Sequence, residues 1–357
     1  MNQNFTQLKK AEVKMSAQLV KIDELIETVD KLPKENFYYE GIKENSLSLL
    51  VAPAKVGKTT MAENLAMCIA SGQEKYLDKP VWSGTNKKVM IISLEEFFRG
   101  RTERNKKQVA YVDGIVGNSE WHENLFVSPT DGQRYIETKK DWEILLNSIQ
   151  EINPAFTVID SLSRMHGSEA IEDSSTCIEL MRNLRNIVDK SGTTMMVVHH
   201  TNKLSNDPVS QFNMAGSRIL SQEADAIIGM NKTPAGKRYI KPLAYRYADD
   251  SSDTVQLFTR NEHQWLISDG NVKEYKLLKE LDKRTDNKSA EIVMDYFLDH
   301  TAGDYSVLVE TKELVKTLVD TKTISKPTLH KALDCLLEEG TIVKQDKGLY
   351  SLVLPPE

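Results

Sequence analysis

Five short apolar runs set the strongest limit on how this chain folds: residues 45–52 (ending SLSLLVA), 87–94 (KKVMIISL), 155–162 (AFTVIDSL), 193–200 (TTMMVVHH) and 224–230 (ADAIIGM). Each is nearly continuous in Val, Ile, Leu and Met, the pattern of strands buried on both faces of a parallel sheet. Helical periodicity fills the intervals at 58–71, 99–110, 140–152 and 173–190, and such βαβ alternation predicts a doubly wound α/β domain. After 231, the stretch KRYIKPLAYRYADDSSDTVQLFTRNEHQWLIS reads as antiparallel strands added at the sheet edge.

At 357 residues the chain is long enough for about two domains of roughly 150 residues each. Residues 1–36 carry Leu19, Val20, Ile22, Leu25, Ile26, Val29 and Leu32 at helical spacing until Pro33 stops the pattern, a helical N-terminal arm that packs on its own domain or clasps a neighbouring subunit. The α/β domain is placed at 37–270 and a charged connector at 271–286. Residues 287–357 read as three helices and a terminal hairpin (TIVKQDKGLYSLVL), a winged-helix domain. Its 8 Lys and no Arg against 12 Asp or Glu make a poor phosphate-binding surface, although Lys326, Lys331, Lys344 and Lys347 offer one basic face, so DNA contact and protein contact both stay open. A net charge of −6 over the whole chain likewise restricts any nucleic-acid surface to a local patch. Cys68, Cys177 and Cys335 are too dispersed for a disulfide framework or a zinc site. No apolar run approaches the roughly 20 residues of a membrane span, and the expectation is a cytoplasmic protein with no membrane partner.

VAPAKVGKTT, Val51 to Thr60, follows the first run and opens the first helix. Residues Ala52, Pro53, Ala54, Lys55, Val56, Gly57, Lys58 and Thr59 match G-x-x-x-x-G-K-[ST] except that alanine replaces the first glycine. The backbone from Ala52 to Thr60 is expected to cradle phosphates, with Lys58 on the β/γ oxygens of ATP and Thr59 on Mg2+. Gly57 sits where the chain passes closest to phosphate, whereas Ala52 is tolerated if its φ is negative. Asp160, at the end of AFTVID, is placed to hold Mg2+ as a second, water-mediated ligand. Serine follows it, so the carboxylate that activates water comes from elsewhere: Glu95 or Glu96, closing the run KKVMIISL. His199 and His200 end another strand at the same edge, as satisfied core groups or as a sensor of the γ-phosphate.

The P-loop, SLEE, strand-Asp-Ser and VVHHTNK, followed by AGSRILSQEADAII, in this order resemble the RecA-like ATPases of the plasmid RepA-like hexameric replicative helicase group, the AAA_25-type domain, over about 35–265. The resemblance implies a RecA-like doubly wound sheet in a ring, most often hexameric, with ATP between subunits and single-stranded DNA in a central channel. By position it assigns the P-loop Lys and Thr to Lys58 and Thr59, the catalytic glutamate to Glu95, the Walker B aspartate to Asp160 and the γ-phosphate sensor to His200. Arg104 corresponds to an arginine near the adenine, or is a solvated charge in RGRTERNKK. An arginine finger falls on Arg246 first and Arg218 second. Channel loops fall at Ser161–Ser175 and Thr201–Ser217, with Arg164 and Lys203 as the available cations. The implied activity is a DNA helicase or translocase replicating a plasmid, phage or mobile element, with replication or mobile-element proteins as partners. The alternative is a regulatory ATPase of recombination, partition or transposition that does not unwind processively.

Overall fold

The computed structural model describes residues 20–129, 132–167, 173–201, 208–216, 218–233, 235–249, 254–278, 283–301 and 304–353. The chain divides into two compact units, Met1–Asn36 and Phe37–Glu357. The first contains α1 (Ile22–Asp30), whose Ile22, Leu25, Ile26 and Val29 fall on one helical face; Leu19 lies outside the described residues.

In the second unit a nine-stranded sheet forms the spine. Its strands are β1 (Leu47–Ala52), β2 (Val89–Ser93), β3 (Leu125–Val127), β4 (Phe156–Asp160), β5 (Thr194–His200), β6 (Ala226–Lys232), β7 (Arg238–Tyr245), β8 (Thr254–Arg260) and β9 (Leu266–Lys273). They lie in the order β9-β8-β7-β6-β1-β5-β4-β2-β3. Strands β6, β1, β5, β4, β2 and β3 pair in parallel, and β7 to β9 extend the β6 side antiparallel. All five apolar runs are therefore parallel strands and the stretch after 231 is the antiparallel extension. Strand β3 is an addition that three residues of LFV are too short to announce.

β1 is buried at every position because helices cover both faces of the sheet. On one face α2 (Lys58–Ser71) packs Met61, Leu65 and Ile69 with Leu50, Val158 and Val198. On the other, α4 (Lys139–Ile152) and α5 (Ser174–Ser191) pack Leu145, Ile149, Leu180 and Leu184 with Leu49, Val51 and Val197. Alternate residues of β1 thus feed two separate cores, as its period of two requires. α3 (Phe98–Val116) follows β2. Thr138 starts α4 with a reciprocal capping box to Asp141. The arrangement is a doubly wound α/β fold with a parallel-dominated sheet.

Beyond β9, α6 (Glu274–Leu278) precedes α7 (Lys283–Thr301), so regular structure reaches into 271–286 from both sides. The C-terminal elements are α7, a strand Val309–Glu310, a helical turn Thr311–Leu314 continuing as a π-turn to Val319, a helix Lys326–Glu338 capped by Ser325 with Pro327 in its first turn, and a hairpin of Ile342–Asp346 and Leu349–Leu352. The last strand pairs on both sides, making a three-stranded antiparallel sheet around a core of Val293, Phe297, Leu314, Leu333 and Leu352. The second of the three helices expected here loses its α-geometry after Leu314, and Val309–Glu310 is a strand that two residues do not reveal.

Candidate nucleotide site

Parallel strands all point their C-terminal ends one way, and β1, β2, β4 and β5 deliver their following residues to the same edge. The register fixes the neighbours: Ala52 lies opposite His200, and Asp160 is flanked by Ser93 and Val198. Ala52 ends β1 without entering the left-handed region, so alanine meets no backbone obstacle there. The turn that follows does need special geometry, at Lys55 (φ 65°) and Gly57 (φ 123°). The second value is open to glycine and strained for any side chain, which explains why Gly57 rather than Ala52 is the indispensable position.

Gly57 also leaves α2 without a side-chain cap, so the first-turn N–H groups are directed at the loop's hollow, where an anion is favoured. Lys58 is buried beside them. Its Nζ donates to Ala52 O at 2.9 Å and Pro53 O at 3.0 Å and lies 3.2 Å from His200 Nδ1. Burial pulls its pKa down to about 8 despite the opposing charges of Asp160 and Glu95; this cation lacks a full counter-charge, as a phosphate-binding lysine should. Thr59 Oγ1 donates to Asp160 Oδ2 at 2.5 Å. Burial raises Asp160 to about 6, against the bond from Thr59 that lowers it. A hydroxyl and a carboxylate in contact are the hard oxygen pair that Mg2+ takes beside phosphate and water. Among the described residues no cluster of three or more His, Cys, Asp or Glu forms an all-protein metal cage, and Mg2+ in such sites does not need one.

The two glutamates part company. Glu96 binds Arg104 through two contacts of 2.8 and 2.5 Å. The same guanidinium bridges to Glu63 of α2 at 2.7 and 2.8 Å, and Gln108 adds a bond to Glu63. Arg104 is 16 % exposed, so it is not a solvated helix charge; it rivets α3 and the end of β2 to the P-loop helix. Glu95 turns instead toward the phosphate edge. Its Oε1 accepts from the hydroxyls of Ser161 and Ser163 and lies 3.5 Å from His200 Nε2. His200 contributes most to holding its pKa down at about 2, with the two serines adding to the effect against desolvation.

Adjacent positions on β5 face opposite ways, which sorts the histidines. His200 joins Lys58 and Glu95. His199 is 2 % exposed, bonds Ala215 O through Nε2 at 2.7 Å, and burial lowers its pKa to about 4. With Lys58 protonated, Nδ1 of His200 must accept, and the ring proton sits on Nε2 toward Glu95.

Arg246 is not brought to this edge. Strand β7 runs antiparallel, so its end returns to the beginning of β6, where Arg246 contacts Asp225 Oδ1 at 3.3 Å and Gln222 O at 2.9 Å. Asp225, buried at 2 %, also takes Arg185 and the Leu47 backbone N–H, tying the N-terminal ends of β1 and β6 together. Arg218 is exposed and lies on the segment that Ala215 joins to His200 O, with its guanidinium 6.0 Å from the Phe212 ring. Lys203 lies outside the described residues.

The residues missed in sequence are Glu63, Ser161, Ser163 and Asp225. Only Ser161 and Ser163 left a trace, two hydroxyls with i, i+2 spacing straight after a strand-end aspartate.

No curated protein matches the chain. Among solved structures it is similar to the KaiC-like protein PH0186 of the hyperthermophilic archaeon Pyrococcus horikoshii OT3, at 15 % identity over 66 % of this chain and 98 % of that one, with a TM-score of 0.45. The sequence model of the AAA_25 family, described as an AAA domain, matches residues 14–206, which cover the P-loop, Glu95, Asp160 and His200. With more than half of its length matched, the chain belongs to the AAA_25 family.

Proposed function

We propose that the chain is an ATP-hydrolysing, RecA-like motor that works as a ring, most simply a hexamer, on single-stranded DNA in the replication of a plasmid, phage or mobile element. The observation that carries the ATPase is the convergence of Lys58, Thr59, Asp160, Glu95 and His200, from four separate segments, on one sheet edge. The backbone from Ala52 to Thr60 and the first turn of α2 hold the phosphates. Lys58 exchanges its carbonyl partners for phosphate oxygens, which supply the counter-charge it lacks. Thr59 and Asp160 would hold Mg2+, which would supply neutralisation of phosphate charge. Glu95 orients and polarises the attacking water. His200, touching both Lys58 and Glu95, senses whether a γ-phosphate has drawn Lys58 away. Glu96 is spent on Arg104 and is the lesser candidate for the base; Arg104, fixed beside α2, can border the nucleotide only from within that ion cluster.

The ring and the DNA rest on the motif order and on the cations at the same edge, Arg164 and Arg218. For the finger acting across a subunit boundary, Arg218 is preferred to Arg246, whose guanidinium is committed to Asp225 and Gln222. The C-terminal module we read as a winged helix; its excess of carboxylates favours protein contact over DNA and keeps the regulatory ATPase as a second reading. The test compares Glu95→Gln and Glu96→Gln. Glu95→Gln should bind ATP normally and lose turnover by about a hundredfold or more, while Glu96→Gln keeps most of it. Equal losses would remove the assignment, and strand displacement at a fork separates motor from regulator.

A further inference from the structure

Glu95 is gripped more tightly than a working base should be. Both serine hydroxyls bind the same oxygen, Oε1, with their own oxygens 2.7 Å apart, and His200 approaches that atom as well. The main chain is held too, since Arg134 Nη2 donates to Glu95 O at 2.7 Å. A carboxylate oxygen already taken by two hydroxyls and approached by an imidazole has little acceptor capacity left for an attacking water. The arrangement holds Glu95 in reserve.

The grip is mounted on a surface turn. Ser163 belongs to a 3-10 turn, Leu162–Arg164, pinned from below by Leu162 and Met165, both buried. The next residue, Arg164, hydrogen-bonds the hydroxyl of Tyr135 and places its guanidinium 4.7 Å from that ring's centre. A backbone bond of 2.9 Å from Ile136 N to Arg164 O joins the two segments. One side of this small body therefore presents a cation and a half-exposed aromatic ring, a pairing suited to phosphate and a stacked base, while the other side holds Glu95 through Ser161, Ser163 and Arg134.

We propose that Ser161 and Ser163 form a latch that keeps Glu95 from activating water, and that a single nucleic-acid strand engaging Arg164 and Tyr135 on the same turn opens it. The proposal rests on Glu95 being the base of an ATPase, as argued above, and makes the two serines positioning residues. No bond is made or broken: the serine hydroxyls transfer their hydrogen bonds from Oε1 to water or to the strand, and Oε1 becomes available to the attacking water.

The test measures ATP turnover by the full chain for wild type, Ser163→Ala, Ser163→Thr and Glu95→Gln, each with and without a deoxythymidine oligonucleotide. Ser163 is only partly buried, so the alanine variant should fold, and an unchanged melting temperature checks this. Without the strand, Ser163→Ala should show kcat raised about tenfold, the factor set by one hydrogen bond of ordinary net strength, at an unchanged KM for ATP. Ser163→Thr should restore the wild-type rate. The strand should accelerate wild type and add little to Ser163→Ala. A kcat for Ser163→Ala that falls in both conditions would mean that the serines serve the productive pose, and an unchanged kcat that they do nothing; either overturns the latch, as does a wild-type rate indifferent to the strand. If Glu95→Gln turns over ATP like wild type, the ATPase assignment fails instead, and the two failures are told apart.

Discussion

Lys58 Nζ stands 3.2 Å from His200 Nδ1, and the other nitrogen of that ring stands 3.5 Å from Glu95. One imidazole thus separates Lys58 of the P-loop from Glu95, and the proposed sensor role requires that ring to relay a change at the first to the second. Replacing His200 with alanine should leave nucleotide affinity within about threefold, because Lys58 keeps its other partners when the ring is removed, while kcat falls at least about tenfold, the equivalent of one ordinary hydrogen bond. Binding of a fluorescent nucleotide, set beside steady-state turnover, separates the two quantities. If affinity drops as far as turnover, His200 is part of the binding site and senses nothing.

Arg104 gives the clearest stability prediction. Its guanidinium offsets two carboxylates, and Glu63, with a side chain 2 % exposed, has no route to solvent. Arg104→Ala would leave that charge buried with only Gln108 as donor, and removing one partner of a buried pair costs about 3–5 kcal/mol. Denaturant unfolding should read a loss of this size, and adding Glu63→Gln to the alanine variant should recover part of it by removing the stranded charge. If the double variant is no more stable than the single one, Glu63 does not carry the cost.

Much of this was legible in sequence because period and order carry it. Near-continuous apolar runs mark strands covered on both faces, and the edge where Lys58, Thr59, Asp160 and His200 meet follows from parallel pairing alone. The split between Glu95 and Glu96 was not legible, since it depends on where Arg104, Ser161 and Ser163 arrive from other segments. The placement of Arg246 was within reach: one antiparallel strand after β6 returns the chain to the far edge, so a residue ending that strand cannot border the P-loop of its own subunit. Nothing in the local sequence distinguishes Asp225, and only tertiary packing brings Arg185, Arg246 and the Leu47 N–H to it.

His199 supplies a pH dependence whose sign is fixed by burial. Its Nε2 proton is used by Ala215 O, its Nδ1 is buried with no hydrogen-bond partner among the described residues, and its pKa falls from 6.5 to about 4. Charging the ring would place an unpaired N–H and a positive charge in the core beside His200 and Lys58. Between pH 6.5 and 4 the unfolded chain therefore binds a proton that the folded one refuses. The stabilisation from a neutral His199 is fully present above 6.5 and is lost as pH falls toward 4, amounting to about 3 kcal/mol across the window. Glutamine can donate to the same carbonyl and cannot be charged, so His199→Gln should lower stability modestly at neutral pH and flatten its acid slope. Unfolding free energies measured every half unit or so through that window decide it: parallel curves for the two proteins would mean that His199 gains no proton on unfolding, and the acid sensitivity would then belong to the carboxylates.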